Sequence, residues 1–362
     1  MSWIDRLKIT IIVCLSFVLG FIIVELGYRK IKGLDNETSD FTHRTMLYEF
    51  GKNFKNYVDF FKYYPNTSIR SLTLYSKTKP TKLSDLVIEY DYVIHTNNAG
   101  LVMQKDLKNS EEVIYVIGDS FTEGQGASPW FYKIEELRNN TNVKLVNLGI
   151  LGTGPTQWKN LENYITQQFN LIVKGSVINI VPDDMERSTW VFKEQELKCL
   201  WTLFCDYTGG FQGFNFKDSD DNNKIKMSVL TTLINNPFNN FKDIVKQSYV
   251  INDIILYIKK IIKFPNIKPN EDALLALKRA TKNKIFVNVV AQKSINSRNF
   301  SNYYSTKKLI EFLENNKFNY KWCDIPLDGF HKIDSHPNEK GYITLQKCTE
   351  DALKILQIKN KI

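Results

Sequence analysis

Residues 113–117 read Val-Ile-Tyr-Val-Ile, an unbroken apolar run rich in β-branched types. That is the pattern of a strand buried on both faces. It runs directly into Gly118-Asp119-Ser120-Phe121-Thr122-Glu123-Gly124, with Gly126 just beyond. A strand-then-helix rhythm follows. Helices are predicted at 130–138, 156–168, 272–281, 306–315 and 338–357, and strands at 144–148, 176–181, 285–290 and 320–325. Such alternation predicts an α/β fold, a parallel sheet with helices on both faces.

Two regions depart from the rhythm. Residues 185–270 are aromatic and irregular, with a glycine turn at 208–210, an acidic patch at 218–221 and one amphipathic helix at 244–262. So long an interruption reads as an inserted lid or cap. Its aromatics, Trp190, Trp201, Phe204, Phe211 and Phe214, are suited to packing the insert against the sheet or to stacking on sugar rings. Ahead of the main unit, residues 33–75 lack clear periodicity and read as a stalk or small cap. A strand at 85–95 and a turn at 97–100 form an extension.

Residues 9–26 carry a single charge, Glu25. About 18–20 apolar residues suffice for one helical membrane crossing. No small-residue cleavage site follows, so the segment reads as an uncleaved single-pass anchor. Basic residues flank both ends and leave orientation open; the expectation is a periplasmic or extracellular catalytic domain. The expected organisation is an anchor at 1–32, a stalk and extension at 33–110, and a catalytic domain at 111–362.

Composition narrows the classes. Hydrophobic content of 43% and charged content of 24% over 362 residues belong to an ordinary globular chain. The net charge of +9 is scattered, with no basic stripe, which argues against nucleic acid as a partner. Of five cysteines, Cys14 falls in the apolar segment; Cys199, Cys205, Cys323 and Cys348 fit two disulfides or four free thiols equally well. No spacing suggests a metal site, and nothing calls for a cofactor.

Ser120, at the carboxyl end of a buried strand, stands where open α/β sheets hold their ligands. A serine nucleophile needs a base, and there are four histidines: His43, His95, His331 and His336. His331 and His336 both lie between the last strand and the last helix, again at a carboxyl end. In Asp334-Ser335-His336-Pro337-Asn338, Asp334 is placed to fix the tautomer of His336, which takes the proton from Ser120. Asp119 is expected to order the turn and Glu123 to be a solvated turn residue.

Three ordered motifs now carry a resemblance. Gly118-Asp119-Ser120, Asn147-Leu148-Gly149 with Gly152 following, and Asp334-Ser335-His336-Pro337-Asn338 resemble the signature blocks of the SGNH hydrolases, also called the GDSL esterase family. That resemblance implies a flavodoxin-like three-layer α/β/α sandwich and a serine ester hydrolase or acyltransferase. It also implies oxyanion donors at the backbone amides of Ser120 and Gly149. The family's Gly-x-Asn-Asp block supplies a third donor from Asn, but here the loop reads Val181-Pro182-Asp183-Asp184-Met185. An ionised carboxylate at position 183 cannot donate. Either Asp183 is held protonated, or the match is off by a residue, or the oxyanion hole keeps two donors. The acid–base spacing is also one residue shorter than the family's Asp-x-x-His, which leaves Asp328 and His331 in reserve.

Location and family habit together point to an O-acyl group, such as acetyl, on a cell-surface glycan. The rival readings are a lysophospholipase or thioesterase acting on lipid acyl chains, and a non-catalytic glycan-binding protein.

Overall fold

The computed structural model describes residues 41–48, 53–77, 80–137, 143–202, 204–206, 213–214, 221–235, 267–282, 284–292 and 306–358, with a few positions between 16 and 27. Apart from those few positions, the apolar segment 9–26 lies outside the described residues, as do the expected helix at 244–262 and the glycine turn at 208–210. Among the described residues, no helix is long and apolar enough to cross a membrane.

Strands occupy described positions where a stalk was expected. β1 (Phe41–Tyr48), the hairpin β2 (Phe54–Tyr57) and β3 (Phe60–Tyr63), β4 (Ser68–Lys77) and β5 (Leu86–His95) come before the main unit. Strands β1, β4 and β5 pair antiparallel as neighbours in one sheet. The missing two-residue alternation in β1 and β4 has a physical cause: both of their faces are covered. On one face Met46, Tyr48, Ile69, Tyr90, Tyr92 and Ile94 join the main core. On the other, Leu47, Leu72, Leu74 and Leu86 pack against a helix from the insert.

The main unit then runs through β6 (Glu112–Gly118), α1 (Ser120–Glu123), α2 (Phe131–Leu137), β7 (Lys144–Gly149), α3 (Pro155–Gln168) and β8 (Ile172–Ile180). A 3-10 turn at Pro182–Glu186 leads into the insert, which holds α4 (Glu194–Thr202), β9 (Phe204–Asp206), β10 (Gly213–Phe214) and α5 (Asn222–Asn235). The rhythm resumes with α6 (Ile267–Ala280), β11 (Ile285–Gln292), α7 (Thr306–Asn315), β12 (Asn319–Ile325) and α8 (Glu339–Ile358).

Five parallel strands form the central sheet in the order β12-β11-β8-β6-β7. The chain leaves β6 in one direction for β7 and returns past it to β8, so β6 lies at the topological switch point of a doubly wound sheet. Right-handed crossovers then send α2 and α8 to one face and α3 and α6 to the other. The packing agrees: α2 meets α8, and α3 meets α6.

The insert is no free-standing lid. Its strands β9 and β10 extend the antiparallel sheet along β1, giving the order β10-β9-β1-β4-β5. Its helix α5 supplies Ile225, Val229 and Leu230 to the outer face of that sheet. The described strands of the insert and the N-terminal strands therefore share one sheet. A disulfide joins Cys323 on β12 to Cys348 on α8, with Cα atoms 5.9 Å apart. Cys199 is disulfide-bonded as well.

Candidate active site

β6 ends at Gly118, and the chain turns at once into α1. Asp119 caps that helix, its Oδ1 accepting the Phe121 amide at 2.9 Å. Gly124 closes the helix in the left-handed region, φ 101°, which a residue with a Cβ adopts only at a cost. Ser120 is thereby fixed at the first position of a one-turn helix, where backbone N–H groups have no intrahelical acceptor. Its side chain is nearly enclosed, with 4% of the residue exposed.

The loop after β12 brings the base. His336 Nε2 lies 2.9 Å from Ser120 Oγ, and His336 Nδ1 lies 2.5 Å from Asp334 Oδ1. The same carboxylate oxygen accepts the His336 backbone amide at 3.0 Å, so the one-residue gap closes a small ring and still delivers the contact. Asp334 Oδ2 is held from the antiparallel sheet. Tyr75 on β4 donates at 2.9 Å, Tyr90 on β5 at 3.1 Å, and the Arg44 guanidinium on β1 sits at 3.1 Å. Burial would raise the Asp334 carboxyl, but His336, Arg44 and Tyr75 hold it far below the usual carboxylate range. Asp334 therefore stays ionised and fixes the imidazole with its proton on Nδ1, which leaves Nε2 to accept from Ser120.

The reserve candidates lie elsewhere. Asp328 is exposed and pairs with Lys340. His331 Nε2 contacts the Gly126 carbonyl at 2.6 Å, and its ring packs on Tyr90. His95 is exposed on β5 beside Tyr132, and the His43 side chain lies outside the described residues.

Gly149 requires a correction. Its amide donates to Asn147 Oδ1 at 2.8 Å, so it is not turned toward Ser120. A Cβ at this position would fall 2.3 Å from the Glu123 amide nitrogen. Gly149 is there because α1 packs directly on the end of β7. Gly152, three residues on, lines the cavity with Ser120, at φ 66°. Trp190 braces that loop by donating from Nε1 to the Gly152 carbonyl at 2.9 Å, and packs its ring at steep angles against Phe61 and Phe192. The motif reading stopped at the first glycine of a pair; the second is the one with a left-handed backbone.

Glu123 also departs from expectation. It is 2% exposed, and its carboxylate accepts the Leu151 amide at 2.6 Å and the Tyr63 hydroxyl at 3.0 Å. Burial pushes it up to about 8, against the pull of the Leu151 amide and Tyr63, with Asp119 adding to the rise. It ties the helix of Ser120 to the loop of Gly152.

Asp183 lies on the cavity wall, in the 3-10 turn after β8. Beside it Asp184 is fully buried, accepting the Val181 amide at 2.9 Å. Burial and the nearby Asp119 raise the Asp184 carboxyl well above its ordinary value, against the pull of Arg187. Sequence reasoning passed over Arg187, whose Nη2 lies 3.0 Å from Asp119 Oδ2 and 3.2 Å from Asp184 Oδ1.

These groups surround a cavity of about 260 Å³ walled by Arg44, Met46, Gln125, Asp183, Arg187 and Ser335, with Ser120 and His336 opening into it. Its chemistry is that of a water-accessible pocket holding a hydroxyl nucleophile, a base within reach and an ionised carboxylate behind the base.

Neither a protein-family model nor a curated protein matches this chain. Among solved structures, it is similar to a member of the lipolytic protein G-D-S-L family from Veillonella parvula DSM 2008. That match is 12% identical, with a TM-score of 0.32, and covers 66% of this chain and 97% of the other. It is also similar to a catalytic mutant of Axe2, an acetylxylan esterase from Geobacillus stearothermophilus. Here the identity is 12% and the TM-score 0.35, with 67% of this chain and 94% of the other covered. Likeness at these scores adds no weight to the site, which stands on its own geometry.

Proposed function

We propose that this protein is a serine ester hydrolase or O-acyltransferase, with Ser120 as nucleophile, His336 as general base and acid, and Asp334 as the group that orients the imidazole. One observation carries the reading: the unbroken line from Ser120 Oγ to His336 Nε2 at 2.9 Å and from His336 Nδ1 to Asp334 Oδ1 at 2.5 Å. Ser120 attacks the acyl carbon as its proton passes to Nε2. The carbonyl oxygen becomes an oxyanion beside the Ser120 amide and the Gly152 loop. The imidazolium then returns the proton to the departing alcohol, leaving an acyl-enzyme. Water, or a second hydroxyl in a transferase, attacks that ester by the reverse proton path.

The substrate we favour is a short O-acyl group, such as acetyl, on a hydroxyl-rich glycan. The cavity volume of about 260 Å³ and its polar wall of Arg44, Gln125, Asp183, Arg187 and Ser335 support this choice over a long lipid chain. Drug-sized ligand pockets run to about 300–1,000 Å³ and are mostly apolar. The apolar run at residues 9–26 supports a single-pass anchor, with the catalytic unit on the periplasmic or extracellular side.

The test is a fluorophosphonate probe. The intact protein labels, and Ser120→Ala abolishes the label; an intact protein that does not label overturns the reading. A chain-length series of 4-nitrophenyl esters then separates the substrates, acetyl turning over fastest on a glycan-directed enzyme and octanoyl on a lipid-directed one.

A further inference from the structure

A serine esterase must stabilise the negative oxygen that forms on its substrate, and position 183, on the cavity wall, carries a carboxylate. Carboxylates accept hydrogen bonds and repel an oxyanion. The cavity wall next to Ser120 holds Asp119, Asp183 and Arg187, and Arg187 pairs with Asp119 and with Asp184, which is buried behind that wall. Asp183 acts on that guanidinium electrostatically, less strongly than Asp184 and Asp119 do.

Arg187 is placed by three loops at once. Its Nη2 meets Asp119 of the nucleophile turn at 3.0 Å and Asp184 of the turn after β8 at 3.2 Å. Its Nη1 donates to the Thr153 carbonyl, next to Gly152, at 3.1 Å. Asp119 Oδ2, the oxygen that Arg187 holds, is also 3.3 Å from Ser120 Oγ. A guanidinium has about five N–H donors in a rigid fork. One of them goes to Thr153, and Nη2 faces both carboxylates as an ion pair. With 28% of the side chain exposed and the residue lining the cavity beside Ser120 and Gly152, donors remain for a ligand.

Resting on the esterase reading above, we propose that Arg187 is a catalytic residue: its guanidinium donates to the oxyanion formed at Ser120, the duty Asp183 cannot perform. No new bond or co-reactant is needed. The charge that builds on the acyl oxygen meets a fixed cation, and it disperses when the carbonyl re-forms and the alcohol leaves with its proton from His336. Arg187 also offsets the carboxylates around Ser120, so that an anion can form among them.

The experiment compares the intact protein with R187Q, R187K, D183N and the double variant R187Q/D183N, using 4-nitrophenyl acetate turnover and inhibition by phenylboronic acid. The boronate forms a tetrahedral anion on serine and so reports oxyanion stabilisation separately from substrate binding. R187Q is expected to lower kcat by about 10²-fold, as loss of an oxyanion donor does, with KM little changed and boronate affinity reduced in parallel. D183N places an amide donor on the same wall, so the double variant should regain about tenfold over R187Q. Should R187Q fail to fold, R187K carries the test, keeping the charge while losing the fork, with a fall in kcat and boronate affinity expected at unchanged melting temperature. Retention of wild-type kcat and boronate affinity by a folded R187Q or R187K overturns the inference. A wild-type protein inert to both fluorophosphonate and ester overturns the esterase reading instead.

Discussion

Arg44 and Asp334 meet at 3.1 Å across the seam between the two sheets, with 2% of the Asp334 side chain exposed. One oxygen of that carboxylate serves His336 and the other serves the antiparallel sheet. The Asp334 carboxylate is thus shared between two layers that the chain builds from distant segments.

Removing the sheet's hold should therefore weaken catalysis. Hydrogen bonds to charged groups are worth about 1.5–3 kcal/mol, so Arg44→Ala should lower kcat/KM by about 10- to 100-fold. Tyr75→Phe should cost less, because Tyr90 and Arg44 remain on the same oxygen. Ester hydrolysis by the purified variants, normalised to fluorophosphonate-reactive sites, measures both. An Arg44→Ala variant as active as the parent would show that His336 alone holds Asp334.

Asp334→Asn keeps the shape and removes the charge. The amide can present its NH₂ group to Nδ1, which favours the wrong tautomer, with the proton on Nε2 facing Ser120. In serine proteases the same change costs about 10⁴-fold in kcat, and a loss of comparable order is expected here. Loss of less than about tenfold would show that the acid contributes little beyond position.

Glu123 gives a pH signature of folding. Its pKa is raised from 4.5 to about 8 by burial. The folded state therefore holds a proton that the unfolded state has released between those values, and stability falls as pH rises through the window. Any benefit is fully present below the unfolded value and gone above the folded one. Glu123→Gln should flatten the melting-temperature profile from about pH 5 to pH 8. An unchanged slope in that window would assign the dependence to other groups.

Two glycines should answer differently to the same substitution. Gly149→Ala drives a methyl group into the Glu123 backbone nitrogen, 2.3 Å away, and should lower stability severely. Gly152→Ala faces a left-handed backbone and a Trp190 ring atom at 3.3 Å. The left-handed region costs an alanine about 1–2 kcal/mol. Gly152→Ala should therefore fold but lose turnover, as seen by denaturant melts beside ester kinetics.

The parallel sheet was legible because its strands are buried on both faces and separated by helices, so 113–117 and 285–290 stand out as apolar blocks. Ser120, Asp334 and His336 were legible because each sits in a short motif at a strand's end. The antiparallel sheet was not. Strands β1 and β4 are sandwiched between the main core and α5, which erases alternation, and β1 takes its other partner, β9, from more than a hundred residues downstream. Arg44, Tyr75 and Tyr90 belong to no motif for the same reason, since they reach Asp334 only through that pairing. Glu123 was misread because a carboxylate beside glycines resembles a solvated turn; only the packing of Tyr63 over it reveals the burial.

The bond from Tyr75 to Asp334 spans 259 residues of chain. During synthesis on the ribosome, Ser120 emerges long before His336 and the acid that orients it. A nascent chain therefore carries a solitary serine without a base, and the clamp from the first sheet waits idle until the last helix is made. Contacts of such separation form late and slowly. On the esterase reading proposed above, Ser120 gains its base only once the loop of Asp334 and His336 has docked between strands laid down long before it.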